Sequence, residues 1–138
     1  MDKLTVRDLM SGNVVAIRPE DDLLTLQDLL QNHNIRHVPV VDGDGRLVGL
    51  VTHRDLLRRA LIEQSGVPDQ VERALLHALK AEEVMTREVM TAEPGLDIRT
   101  AAQLMFEHKY GCLPVVDGER LVGILTEADF VRFLAGGN

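Results

Sequence analysis

Two four-residue groups carry side chains able to do chemistry: Thr52-His53-Arg54-Asp55 and Thr126-Glu127-Ala128-Asp129, each a threonine followed three residues later by an aspartate and then by an apolar run. Thr-x-x-Asp in that position has the form of a capping box, whose carboxylate and hydroxyl satisfy the first free N–H groups of a helix. The first group also holds the fork of Arg54 beside His53, and Arg36 and His37 stand just ahead of Val38 and Pro39. The second copy has Ala128, Glu127, Gly111 and Cys112 in the corresponding places, ahead of Leu113 and Pro114. A guanidinium suits phosphate oxygens, and a glutamate opposes them. The other reactive residues do not converge. Five histidines (His33, His37, His53, His77 and His108) suggest metal chemistry, but Asn34-Ile35 ends a helix between His33 and His37, so their spacing does not place both on one face. Cys112 follows His108 by four residues, yet it enters an apolar strand, the ordinary setting of a small buried thiol. No P-loop, GxGxxG, GxSxG or HExxH pattern occurs. Neither an enzyme nor a transition-metal site is expected.

The elements that must position these groups come in two copies. Offset by 75 residues, the chain matches itself at Met10 and Met85, Pro19 and Pro94, Asp22 and Asp97, Leu29 and Leu104, and His33 and His108. The match continues through Pro39-Val40-Val41-Asp42-Gly43 and Pro114-Val115-Val116-Asp117-Gly118. It then drops to 74 because the turn Asp42-Gly43-Asp44-Gly45 is one residue longer, which is where chains tolerate insertion. In each copy a short apolar strand, Val14 to Ile17 or Val89 to Met90, is closed by a proline. Asp22 or Asp97 then caps an amphipathic helix with apolar residues at Leu23, Leu26, Leu29 and Leu30, or Ile98, Ala101, Ala102 and Met105. A hairpin around an Asp-Gly turn follows, and Thr-x-x-Asp opens a last helix. The predicted unit is β-α-β-β-α, an α/β (α+β) arrangement, occurring at 1–60 and 81–138. A helical connector at 61–80 is broken at Gly66-Val67-Pro68. Its stripe Val71, Ala74, Leu75, Ala78 and Leu79 is expected to cover the core, with a partner-binding surface as the other reading. A unit of about 55 residues has a marginal core alone, so the two copies are expected to pack through their sheets as a pseudo-two-fold pair.

Composition narrows the functional classes. With 15 basic and 22 acidic residues the chain carries a net charge of −7, which repels polyanions, so no nucleic-acid partner is expected. The first eight residues are too charged for a signal peptide, and no apolar run reaches membrane-spanning length. With a single cysteine, a cytoplasmic protein is expected. Charge also differs between the copies: residues 1–60 hold 8 basic and 9 acidic side chains, and residues 81–138 hold 5 and 10. On that count the first copy is the better host for an anion.

The order of elements, the duplication, the Pro-Val-Val-Asp turns, the Leu-Val-Gly strands and the closing Thr-x-x-Asp together resemble the CBS-domain family, named for cystathionine beta-synthase, over nearly the whole chain. The resemblance implies a tandem pair that binds an adenosyl ligand (AMP, ADP, ATP or S-adenosylmethionine) in clefts between the repeats and regulates a target. It implies that Asp55 and Asp129 hold the ribose hydroxyls while Thr52 and Thr126 contact phosphate. Both roles are physically sound, because a carboxylate grips a vicinal diol and a helix start attracts an anion. Arg54, His53, Arg36 and His37 favour phosphate at the Asp55 site, leaving the Asp129 site weaker, empty or suited to a less anionic ligand. Adenine would pack on aliphatic side chains and pair with backbone groups near Val14, Val15, Val38 and Pro39, or near Leu113 and Pro114. The first copy lacks an aromatic platform, since Phe106, Tyr110, Phe130 and Phe133 lie in the second. No cofactor is obligatory, and Mg²⁺ would arrive with a nucleotide. The resemblance implies a homodimer acting on a separate protein target, and a nucleotide-free interaction adaptor is the rival reading.

Overall fold

The computed structural model describes residues 3–59 and 69–136, so Leu61 and the break at Gly66-Val67-Pro68 lie outside the described residues. In chain order the elements are α1 (Val6–Leu9), α2 (Leu23–His33), β1 (His37–Val41), β2 (Leu47–Thr52), α3 (His53–Arg59), α4 (Asp69–Ala78), α5 (Ala81–Val84), α6 (Ile98–His108), β3 (Cys112–Asp117), β4 (Arg120–Thr126) and α7 (Glu127–Leu134). They form two compact units, Val15–Glu88 and Met1–Val14 with Val89–Asn138. The packing units are thus out of phase with the sequence repeat: the opening residues of each copy complete the unit built on the other.

In the 15–88 unit, Asp22 Oδ1 accepts from Thr25 N–H at 2.8 Å and starts α2, and Asn34, at φ 51°, ends it in the left-handed region that asparagine tolerates. Leu23, Leu26 and Leu30 on α2 meet Val38, Val40 and Val51 of the antiparallel β1–β2 hairpin to form the core. The tip of the hairpin is organised by Asp42, whose Oδ1 accepts from the N–H groups of Asp44 (2.9 Å) and Arg46 (3.0 Å), while Gly45 supplies φ 82°. The other unit repeats this on Ala101, Met105, Leu113, Val115 and Leu125, with Val6 and Leu9 of α1 completing its core.

In place of the expected first strands there is a single parallel bridge in each copy, Ile17 to Val40 inside the expected Val14 to Ile17 and Ala92 to Val115 two residues beyond the expected Val89 to Met90. Ile17 N–H donates to Pro39 O (3.0 Å) and Val41 N–H to Ile17 O (2.9 Å); Ala92 and Val116 repeat this around Pro114. The next bond of such a ladder would need an N–H from Pro39 or Pro114, and proline has none. Pairing therefore stops after one step.

On the far edge each hairpin is closed by the segment from the other sequence copy. Leu50 exchanges both backbone hydrogen bonds with Thr86 (2.9 Å each), and Ile124 exchanges them with Ser11 (3.0 and 2.9 Å). The glycine of each Leu-Val-Gly strand explains how these segments come so close. A Cβ on Gly49 would stand 2.5 Å from Met85 Sδ and 3.1 Å from Thr86 O, and one on Gly123 would stand 2.5 Å from Met10 Sδ and 3.1 Å from Ser11 O. The repeated methionine and the repeated glycine are two halves of one contact. The short helices dock in the same way: Val6 and Arg7 N–H reach Leu96 and Pro94 O, and Ala81 and Glu82 N–H reach Asp21 and Pro19 O.

The expectation for the connector stripe is corrected. On α4 the buried residues are Glu72 and Leu76, whereas Val71 (48% exposed), Leu75 (38%), Ala74 and Ala78 face outward and only Leu79 packs against the core. The rotation is set where the helix ends. Leu23 N–H donates to Leu79 O at 2.9 Å, and His77 Nδ1 lies 2.8 Å from Asp22 Oδ2, which turns Leu76 inward.

Those contacts give stability a defined acid limit. Asp22 titrates below its ordinary 3.8: partial burial works against this, but the Thr25 N–H and hydroxyl and the neighbouring His77 outweigh it. Because the folded value lies below the unfolded one, the unfolded chain takes up the proton first as pH falls. The contribution is complete above about pH 4 and is lost as pH drops through the folded value. The urea midpoint of the wild type is expected to fall between about pH 4 and pH 2, and to fall less in Asp22→Asn. Equal slopes in the two proteins would contradict this assignment.

Candidate functional site

Each Thr-x-x-Asp group stands where the second hairpin strand runs into the following helix, and each does form a cap. Thr52 N–H and Oγ1–H donate to Asp55 Oδ2 (2.8 and 3.0 Å), and Asp55 N–H donates to Thr52 Oγ1 at 3.3 Å. Thr126 N–H and Oγ1–H donate to Asp129 Oδ2 (2.8 and 3.3 Å). Capping, however, uses only Oδ2, and the other carboxylate oxygen separates the two copies. Asp129 is 2% exposed, and its Oδ1 accepts from Ser11 Oγ at 3.1 Å and pairs with Arg132 Nη2. Asp55 is half-buried, and no hydrogen bond reaches its Oδ1 among the described residues.

Around Asp129 the same unit holds a cavity of about 460 Å³, lined by residues 8–13 with Asp129, Arg132 and Phe133. That volume suits a small organic ligand. Asp129 and Ser11 supply acceptor and hydroxyl groups, Arg132 a cation, and Phe133, 40% exposed, an aromatic face.

The sequence-predicted residues of the first copy come together at one end of their hairpin. His37 pairs with Thr52 in the strand register, and His53 N–H donates to Arg36 O at 2.8 Å. Arg36, His53 and Arg54 are exposed, and Val15 is half-buried. Val38, Pro39, Leu113 and Pro114 are withdrawn into the cores, so a ligand meets their backbone rather than their side chains. Cys112 is buried, and burial pushes its thiol up to about 12, which leaves it protonated and unreactive at neutral pH.

The charge asymmetry read from the linear copies does not survive folding. Counted by packing unit, Val15–Glu88 holds 9 basic and 13 acidic residues (net −4), and the other unit holds 6 and 9 (net −3). Sequence reasoning also missed Ser11 and Arg132. Two signals mark them: Ser11 and Thr86 are hydroxyl residues at matching places in the repeat, and Arg132 follows Asp129 by three positions, one helical turn on the same face.

The CBS domain family model matches residues 6–62 and 81–136, and the chain belongs to this family. Among solved structures it is similar to the CBS domain pair of protein MJ0100 in complex with 5′-methylthioadenosine and S-adenosyl-L-methionine (30% identity, 98% of each chain, TM-score 0.80). It is similar to CBSX2 in complex with AMP (29% identity, 96% of each chain, TM-score 0.80). The CBS domain-containing protein YhcV of Bacillus subtilis is 30% identical over 91% of this chain and 81% of its own length. Coverage of other curated relatives is uneven: the chain spans 42% of one protein of Methanocaldococcus jannaschii and 91% of another.

Proposed function

We propose that this chain is a regulatory sensor that binds an adenosyl ligand (AMP, ADP, ATP, S-adenosylmethionine or a nucleoside of that kind) through the aspartates of its Thr-x-x-Asp groups and has no catalytic role of its own. The observation that carries the reading is the cavity walled by Asp129, Ser11, Arg132 and Phe133. Ribose hydroxyls donate to the Asp129 carboxylate, the base lies against Phe133 and backbone groups, and Arg132 faces the ligand's anionic end. Relatives solved with AMP and with S-adenosylmethionine support the ligand class. Asp55, with Arg36 and Arg54 exposed nearby, forms a second and more open site for a phosphorylated ligand, and Mg²⁺ comes only with such a nucleotide. The chain works in the cytoplasm as a homodimer, and ligand binding changes its affinity for a separate protein target. A ligand shifts that balance only by binding one state more tightly than the other.

The outward face of α4, with Val71, Ala74, Leu75 and Ala78, favours a second reading as a protein-interaction adaptor without nucleotide. Among the described residues no helix is long and apolar enough to cross a membrane.

Titrating ¹⁵N-labelled protein with AMP and with methylthioadenosine separates these readings. The sensor reading predicts amide shifts concentrated at residues 8–13 and 126–133, and at 36–38 and 52–55 for AMP. No saturable shift at millimolar ligand would sink it and leave the adaptor.

A further inference from the structure

We propose that Arg132 is a latch on Asp129, an internal competitor that a ligand must displace and that makes this site discriminate in favour of ligands carrying an anionic group. The inference rests on the adenosyl reading above and adds a residue that sets its selectivity.

One carboxylate has a limited acceptor capacity. Two oxygens offer about four lone-pair directions. At Asp129 all four are taken: Oδ2 by Thr126 N–H and Oγ1–H, Oδ1 by Ser11 Oγ–H and Arg132. A ribose diol must place at least one further hydroxyl donor on this carboxylate, so something must leave. Thr126 is held at the turn from β4 into α7, and the Ser11 backbone is held by its paired bonds to Ile124. Arg132 is the group that can move, since its side chain is 49% exposed while Asp129 is 2% exposed.

Displacement does not remove the guanidinium from the site. Arg132 lines the cavity together with Asp129, and its backbone is held in α7. Released from the carboxylate, its fork is free to take a phosphate or carboxylate of the ligand. A ligand with such a group replaces the ion pair it breaks, whereas a neutral nucleoside breaks it without return. The other copy supplies the contrast. Arg58 stands at the same distance from Asp55 in sequence, is exposed, and forms no ion pair with it among the described residues.

The test is a calorimetric titration of adenosine and of AMP into Asp55→Asn protein, which leaves the Asp129 site to report, with and without Arg132→Ala. Adenosine is expected to bind about tenfold more tightly once the latch is gone, and AMP about tenfold more weakly, each at the lower end of the scale of one charge-assisted hydrogen bond. Changes of opposite sign cannot come from a general loss of fold, which weakens both. Arg132→Gln, which keeps an N–H donor without the charge, should retain part of the barrier to adenosine while losing the AMP contact. Affinities that are unchanged, or that fall together, would overturn the latch and leave the sensor reading standing. Absence of binding by either ligand to either protein would overturn the latch together with the reading of the Asp129 cavity as an adenosyl site.

Discussion

Gly123→Val is expected to lower the stability of its unit by about 1–3 kcal/mol, the usual penalty for forcing extra atoms into a packed contact. A single added carbon at this position already stands 2.5 Å from Met10 Sδ and 3.1 Å from Ser11 O. The sulfur is the end of a flexible side chain and can turn aside, but the Ser11 carbonyl is held by its own bond to Ile124 N–H. Relief therefore comes by pushing the 10–12 segment off β4, which also draws Ser11 Oγ away from Asp129. Urea unfolding should show the loss, and amide exchange at Ser11 and Ile124 should rise with it. Gly123→Ala combined with Met10→Ala should be milder than the sum of the two, because each change makes room for the other. Strict additivity would mean that methionine and glycine are not a matched pair. The same cycle at Gly49 and Met85 should behave alike, since the added carbon meets Met85 Sδ at 2.5 Å there.

The second large effect is expected at the aspartates, where one substitution should give two different results. Asp129→Asn places an amide in a buried position whose four neighbours all donate, so at least one donor faces another. A cost of about 2–3 kcal/mol is expected from the lost ion pair and the unsatisfied group. Asp55 is half-buried with one oxygen uncommitted among the described residues, so Asp55→Asn should cost about 1 kcal/mol, the scale of a helix cap. Binding should fall by at least about tenfold at whichever site is changed, because hydrogen bonds to a charged partner are worth about 1.5–3 kcal/mol. Denaturant midpoints and calorimetry on both variants check the pair. Equal stability losses would contradict the assigned environments.

Much of this architecture could be read from the residues because the repeat announces itself in turns, caps and glycines, which are local signals. Asp22 and Asp97 do cap their helices, Asn34 does end one, and both hairpins form where the β-branched runs lie. What escaped was set by partners distant in sequence. The first strand of each copy reads as a strand by its own composition, yet Pro39 and Pro114 withhold the donor it needs. The α4 stripe is a sound amphipathic pattern, but Asp22 and Leu23 fix the helix ends so that Leu76 turns inward. The charge difference between copies was a property of the linear chain, and it vanished because residues 1–14 fold with 89–138. At the site the Thr-x-x-Asp pairs were legible as spacing, whereas Ser11, 118 residues from Asp129, was not.

Binding of an adenosyl ligand by the folded chain can be read from thermal unfolding with and without AMP and methylthioadenosine. A ligand that binds only the folded state adds about 2.7 kcal/mol at one hundred times its dissociation constant. For a domain of this size that is a rise in Tm on the order of 10 °C. Such a rise is expected with at least one of the two ligands, reduced by Asp129→Asn or Asp55→Asn relative to each variant's own baseline. An unchanged Tm with both ligands at millimolar concentration would contradict it.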